Sequence, residues 1–231
     1  MKIDLHTHCL PVSRCAHHEP ELLPQIFKDA KMDGFVLTNH CYPYHNDPLG
    51  DSFEKQAKVY VDVFHRCKNA GDKVGIKVFF GVELKLINEP NAPEFLLYGI
   101  SEQDFLDTFP LYNETQKSVF DFCNEKDVLM VQAHPLRSEH GCKPADMRYM
   151  HGIEVFNAHP RVINRFKETL KLAEQNQKLK TSGTDFHELI QAGSGGAIVP
   201  DEITDQFMLR DYLKIGKIQI FDKNGIIYQN I

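Results

Sequence analysis

Short apolar runs alternate with longer amphipathic stretches along this 231-residue chain, and no other feature narrows its possible folds as much. Such alternation predicts an α/β protein with a mainly parallel sheet. Strand-like runs fall at 2–5, 35–39, 77–82, 95–100, 128–133, 152–156 and 179–183. Phe35-Val36-Leu37 and Val128-Leu129-Met130-Val131 are continuously apolar, as strands covered on both faces are. Between the runs lie helix signals. Pro20 suits a first turn, Leu22, Leu23, Ile26, Phe27 and Ala30 share a face, and Gly34 ends the run. Ser52 is placed to cap a helix carrying Phe53, Ala57, Val61 and Phe64, with Gly71 as its stop. Pro160 is expected to open a third helix with Ile163, Phe166, Leu170 and Ala173 on one stripe, and a last one is expected to start near Asp201. A hairpin (217–221 and 226–228, turned by Asn224-Gly225) follows. Segment 86–94, with Pro90 and Pro93, reads as a loop, and no repeat or linker divides the chain. One domain over residues 1–231 is expected.

Composition excludes several function classes. No run approaches the roughly 18 apolar residues of a membrane span, and Met1-Lys2-Ile3-Asp4-Leu5-His6 reads as a strand rather than a signal peptide. Six scattered cysteines without a CxxC pair do not resemble a disulfide framework, so a cytoplasmic protein is expected. A net charge of −6 and the lack of any Lys/Arg block disfavour a nucleic-acid partner. The sequence does not indicate an oligomeric state. The unusual number is twelve histidines.

Their positions are informative. His6 and His8 follow the run 2–5, His40 follows 35–39, Glu83 follows 77–82, and His134 follows 128–133. Asn157 follows 152–156, and Asp185 with His187 follows 179–183. In a parallel (β/α) barrel the carboxyl ends of the strands converge on one rim, where such folds do their chemistry. Residues at i and i+2 of a strand share a face, so the imidazoles of His6-Thr7-His8 can reach one ion. Asp185-Phe186-His187 repeats that spacing with a harder oxygen ligand. Imidazole and carboxylate together suit Zn, Mn or Fe without choosing among them, and a carboxylate such as Glu83 can bridge two ions. His45, His65, His140 and His151 follow no strand and read as surface or core residues.

Taken together, Asp4-Leu5-His6-Thr7-His8, Leu37-Thr38-Asn39-His40, Gly81-Val82-Glu83, Ala133-His134-Pro135 and Ser182-Gly183-Thr184-Asp185-Phe186-His187 resemble the PHP (polymerase and histidinol phosphatase) family, in the family's order. The resemblance implies a distorted seven-stranded (β/α) TIM-like barrel, a cluster of up to three divalent metal ions (Zn, Mn or Fe), and phosphoester hydrolysis. It implies that His6, His8, Glu83 and Asp185 hold one ion and that Glu83 bridges to a second on His134. A third ion would take His40, His187 and the histidine of a Cys-x-His element. Here that element reads Cys15-Ala16-His17, which favours His17 over His18 and leaves Cys15 as a small buried hydrophobe. The strand that carries a further second-ion histidine in many members reads Glu94-Phe95-Leu96-Leu97-Tyr98-Gly99, so Glu94 or solvent would take that place. Asn39 stands where many relatives carry Asp.

Such a cluster needs no nucleophilic side chain, because metal-activated water can displace the leaving group in line. Arg137 is a candidate phosphate clamp or a surface ion pair. Asn157 is a candidate contact for substrate or water, and His159 a candidate acid for the leaving oxygen. Gly193-Ser194-Gly195-Gly196 is either a phosphate-binding nest or only a turn. The expected function is hydrolysis of a small phosphorylated metabolite: a sugar phosphate, a nucleotide or histidinol phosphate. The alternatives are a nuclease of the polymerase-associated branch and a degenerate, non-catalytic metal- or phosphate-binding module.

Overall fold

A computed structural model describes residues 1–137 and 141–230, so His140 lies outside the described residues. The strands are β1 (Lys2–Thr7), β2 (Gly34–Leu37), β3 (His40–Cys41), β4 (Lys77–Lys85), β5 (Glu94–Tyr98), β6 (Leu129–Gln132), β7 (Gly152–Asn157), β8 (Leu179–Gly183), β9 (Gly195–Ile198), β10 (Ile218–Asp222) and β11 (Gly225–Asn230). The helices are α1 (Leu23–Asp29), α2 (Pro43–Asn46), α3 (Phe53–Val74), α4 (Glu102–Thr108), α5 (Gln116–Glu125), α6 (Phe166–Gln175) and α7 (Gln206–Ile215).

Backbone pairing orders the strands β11-β10-β9-β1-β2-β4-β5-β6-β7-β8, with β3 beside β4, in a curled mixed sheet that forms a half-barrel. The β1–β2, β2–β4, β6–β7 and β7–β8 pairs are parallel. In contrast to the mainly parallel expectation, β5 runs antiparallel to both neighbours, and β9 and β10 add antiparallel strands beside β1. Past the end of β8 the chain returns to β1. Phe186 bridges Thr7, His8 N donates to Phe186 O at 3.0 Å, and Phe186 N donates to His6 O at 3.1 Å. The Asp4 carboxylate accepts from Thr184 N and from Thr184 Oγ1. Those contacts bring the ends of β1 and β8 together.

Helix signals explain most of the layer outside the sheet. Ser52 Oγ accepts from Lys55 N and caps α3 as expected, and α3 buries Tyr60, Val63, Phe64 and Cys67. Each large apolar side chain so covered contributes about 1.5–3 kcal/mol. Four expected boundaries moved. The helix expected from Pro20 begins at Leu23 and ends at Asp29, and Gly34 opens β2. Gly71 lies inside α3, where a Cβ would stand 2.7 Å from Ile76 O; the stop is Gly75, in the left-handed conformation. The helix expected from Pro160 begins at Phe166, after Asn164 Oδ1 accepts from Phe166 N. The last helix begins at Gln206, because Asp205 rather than Asp201 accepts from the first-turn amides of Phe207 and Met208. The glycine stretch is neither nest nor simple turn. Gly195 and Gly196 open β9, and a Cβ on Gly196 would meet Ile3 O at 2.2 Å. No helix among the described residues is long and apolar enough to cross a membrane.

Candidate metal centre

Side chains from the ends of β1, β3, β4, β6 and β8 meet at one point. His6 Nε2 lies 3.2 Å from Glu83 Oε1 and 3.5 Å from Asp185 Oδ1. His8 Nε2 lies 3.4 Å from Glu83 Oε2 and 3.1 Å from Asp185 Oδ1. His40 Nδ1 is 2.6 Å from Glu83 Oε2, and His134 Nε2 is 3.1 Å from Glu83 Oε1. His134 Nε2 and Glu83 Oε1 share a hydrogen bond, but the other approaches are not hydrogen bonds: His6 Nε2, His8 Nε2, His40 Nδ1 and Glu83 Oε2 are all buried without a partner. Buried polar atoms are normally satisfied, so four orphans facing one another fit a site for a cation. Ligand atoms fall into overlapping groups: His6, His8 and Asp185; His6, Glu83 and His134; His8, His40 and His187; and Glu94, His134 and Cys142.

The far ring nitrogens fix which atom each histidine presents. His6 Nδ1 donates to Glu154 Oε1 at 2.9 Å, so Nε2 is the nitrogen a cation would take. His8 Nδ1 donates to Ser13 Oγ at 3.1 Å. Ser13 Oγ also accepts from His40 N and donates to Asn39 Oδ1. Asn39 therefore orients His8 and His40 through Ser13. His187 Nδ1 donates to Asp185 O at 2.7 Å, which frees its Nε2. Partners of this kind set ring orientation and ligand basicity in metal sites.

Glu154 was not singled out by the sequence reading. Its carboxylate accepts from His6 Nδ1, His134 N and Asn157 Nδ2. The signal was available: one carboxylate inside the apolar run Gly152-Ile153-Glu154-Val155-Phe156. His134 and Asp185 have φ of 29° and 53°, a left-handed backbone that costs a non-glycine residue on the order of 1–3 kcal/mol. Strain at two of the converging residues is of the kind that concentrates at functional sites.

Charge is held in balance. Burial opposes a charged Glu83 or Asp185, yet His6 and His40 pull Glu83 well below the usual carboxylate range, and Arg137 and His6 do the same for Asp185. Burial also opposes a charged His6 or His40; Glu154, Glu83 and Asp185 outweigh it at His6, as Glu83 does at His40, and both rings are pushed up. His134 is raised to about 9 against burial and Arg137, by bonding to Cys142 and Glu83. His8 goes the other way, lowered by burial and by its neighbours His40 and His187.

A cleft of about 420 Å³ opens beside this cluster, with Tyr42, Tyr44, Lys85, His159 and Arg161 on its walls. Arg137 is no surface ion pair. Its Nη2 donates to Asp185 Oδ2 at 2.6 Å and to Asn157 Oδ1 at 2.8 Å, while Nε is buried without a partner. Asn157 is engaged at both amide atoms, by Arg137 and His159 N at Oδ1 and by Glu154 at Nδ2. His159 is lowered to about 4 by burial, so near neutral pH it presents an uncharged imidazole rather than a strong acid. His17 lines the cleft and is exposed, its backbone N donating to His187 O. Cys15 is not the buried hydrophobe expected; it is exposed, and its Sγ lies 3.0 Å from His187 Nε2. Both His45 nitrogens are used, Nδ1 by Arg14 N and Nε2 by Tyr42 Oη. His65 pairs with Glu102, and His151 accepts from Met130 N.

No protein-family model and no curated protein matches the chain. Solved structures do. A two-domain protein from Bacteroides vulgatus that contains a predicted PHP-like metal-dependent phosphoesterase superposes with a TM-score of 0.72 at 18% identity, over 98% of this chain and 66% of that one. The fold is PHP-like. A protein from Bifidobacterium adolescentis, provisionally described as a metal-dependent phosphoesterase, shares the PHP-like fold at a TM-score of 0.54 and 13% identity, over 91% of this chain and 95% of that one. An amidohydrolase from Chromobacterium violaceum with bound sulfate gives 0.53 and 13%, over 96% and 98%. The chain spans just under two thirds of the length of the Bacteroides protein.

Proposed function

We infer that this protein is a metal-dependent hydrolase of the PHP family that cleaves the phosphoric ester of a small metabolite such as a sugar phosphate, a nucleotide or histidinol phosphate. One observation carries the reading: the unpartnered His6 Nε2, His8 Nε2, His40 Nδ1 and Glu83 Oε2, buried and facing one another at the head of a cleft. In this reading β1-β2-β4-β5-β6-β7-β8 is a distorted seven-stranded barrel closed through Phe186, and the chain is one domain. His6, His8, Glu83 and Asp185 would hold one ion. Glu83, His134 and Glu94 would hold a second, and His40 and His187 a third, with His17 as the family pattern's further ligand.

When bound, divalent ions supply Lewis acidity: they acidify a water at neutral pH and screen phosphoryl charge. The protein's own groups do the rest. Glu154 keeps the His6 proton on Nδ1, so Nε2 faces the cluster. Arg137 holds Asp185 in place and lines the cleft in which a phosphoryl group would sit. Asn157 fixes the Arg137 fork, and His159 offers a neutral ring to the leaving group's side of the cleft. Lys85 pairs with Glu94 and Arg161 with Glu188, so the cleft's cations are neutralised. That, with a net charge of −6, favours a small substrate over a nucleic-acid strand.

A phosphometabolite panel assayed with Mn, Zn and Fe in parallel tests the proposal, with single-stranded oligonucleotides and N-acyl amides as further arms. Turnover of a phosphoester is expected. Turnover confined to oligonucleotides or amides would overturn the substrate class, and no turnover by metal-loaded protein would favour the non-catalytic module.

A further inference from the structure

The loop between β1 and α1 brings a thiol to the metal-candidate cluster, where the family pattern had pointed to a histidine. We propose that Cys15 supplies a thiolate ligand to the ion held by His40 and His187, which makes that position selective for a softer ion such as Zn²⁺ over Mn²⁺. This rests on the metal-centre reading above and puts Cys15 in the place that the family pattern gives to His17.

Three placements support the assignment. Cys15 Sγ stands 3.0 Å from His187 Nε2, the nitrogen freed by the Nδ1 contact to Asp185 O. The same Sγ groups with His40 and His45 ligand atoms, all within 4.8 Å of one another. His45 is spent, since Arg14 N and Tyr42 Oη occupy both its nitrogens; it stacks on His40 with ring centroids 4.5 Å apart and so positions that ring. Independently of the cysteine, His40 Nδ1 is buried and has no hydrogen-bond partner, and His40 groups both with Cys15 and with His8 and His187. An imidazole left unsatisfied there points to an ion at the place Cys15 reaches.

The geometry asks for a small adjustment. Zn–S and Zn–N bonds of about 2.3 and 2.05 Å at a tetrahedral angle put sulfur and nitrogen about 3.6 Å apart, against the 3.0 Å found. Cys15 is exposed on an irregular segment, so its side chain can rotate outward without disturbing packing. His17 donates its backbone N–H to His187 O, and the residue is exposed. Thiolate is a soft ligand, which favours zinc, whereas a shell of imidazole and carboxylate alone would also suit manganese.

Cobalt(II) reports the bond directly, because thiolate ligation adds a sulfur-to-metal charge-transfer absorption in the near ultraviolet that nitrogen and oxygen ligands do not give. The full-length protein loaded with Co²⁺ should show this band together with visible ligand-field bands. Cys15→Ser should lose the ultraviolet band and keep the visible ones, while His17→Ala and Cys142→Ser keep both. Cys142 is the control because it lies near His134 at the other end of the cluster. A band that survives Cys15→Ser, or visible bands with no ultraviolet band in the parent protein, would overturn the thiolate while leaving the metal centre intact. No cobalt uptake at all would overturn the metal-centre reading itself.

Discussion

His6 has a carboxylate at each ring nitrogen, Glu154 at Nδ1 and Glu83 with Asp185 at Nε2, and the two sides have different tasks. The Glu154 side holds a proton and an orientation; the other side waits for a cation. Glu154→Gln replaces an acceptor with a group that also donates, and the ring's preference for which nitrogen keeps its proton weakens. Metal affinity should fall about 10- to 100-fold, the usual effect of losing such a partner, with the fold retained; a binding isotherm equal to that of the parent would refute the role. Arg137 acts on the same cluster from the substrate side. A charge-assisted bond contributes roughly 1.5–3 kcal/mol, equivalent to about 10- to 150-fold in rate. Arg137→Ala should therefore lower kcat/KM by that order, and Arg137→Lys, which keeps the charge but loses the planar fork, by less. Because Arg137 also holds Asp185, Arg137→Ala should weaken metal binding as well. Equal kcat/KM in all three proteins would remove Arg137 from the site.

Among the elements, the strands that end at the site were legible, because a short strand-like run followed by His, Glu, Asp or Asn, repeated along the chain, has few other readings. β1, β2, β4, β6, β7 and β8 fall where such runs stand. What periodicity could not fix is the irregular chain between β1 and α1. Whether Cys15 or His17 meets His187 depends on turns whose phase no repeat in the sequence records. Glu154 was missed for another reason: it sits inside a run rather than at its end, and only the side chains opposite reveal that its carboxylate is fully bonded. The antiparallel placement of β5 follows from its loop connection to β4, which composition left open. Close approach of β8 to β1 makes its own prediction. A Cβ at Gly183 would stand 2.4 Å from His6 Cβ and 2.7 Å from His6 N. Gly183→Ala should push the two strand ends apart, destabilise the protein by about 1–3 kcal/mol as overpacking does, and weaken metal binding by moving Asp185 away from His6 and His8. Denaturant unfolding and a metal titration check both effects, and unchanged metal affinity would contradict the account of how the rim is assembled.

At the scale of the whole molecule, the ten-strand path brings residues up to 181 positions apart (His6 and His187) into one buried cluster of opposite charges. Without metal, the surrounding carboxylates push His6 and His40 above the ordinary histidine range, and His134 is raised to about 9, which favours their protonated forms. A metal ion needs those rings unprotonated, so binding should release protons and affinity should rise with pH through this interval. His8, already pushed down, should release none. Calorimetric titrations in buffers of different ionisation enthalpy measure the release; a buffer-independent heat at pH 7 would contradict the charge balance described. If this cluster holds divalent metal, elemental analysis of the reconstituted, desalted protein should find more than one ion per chain, and fewer in Asp185→Ala while the fold persists. Less than one ion per chain, both as purified and after reconstitution with Zn, Mn or Fe, would contradict it.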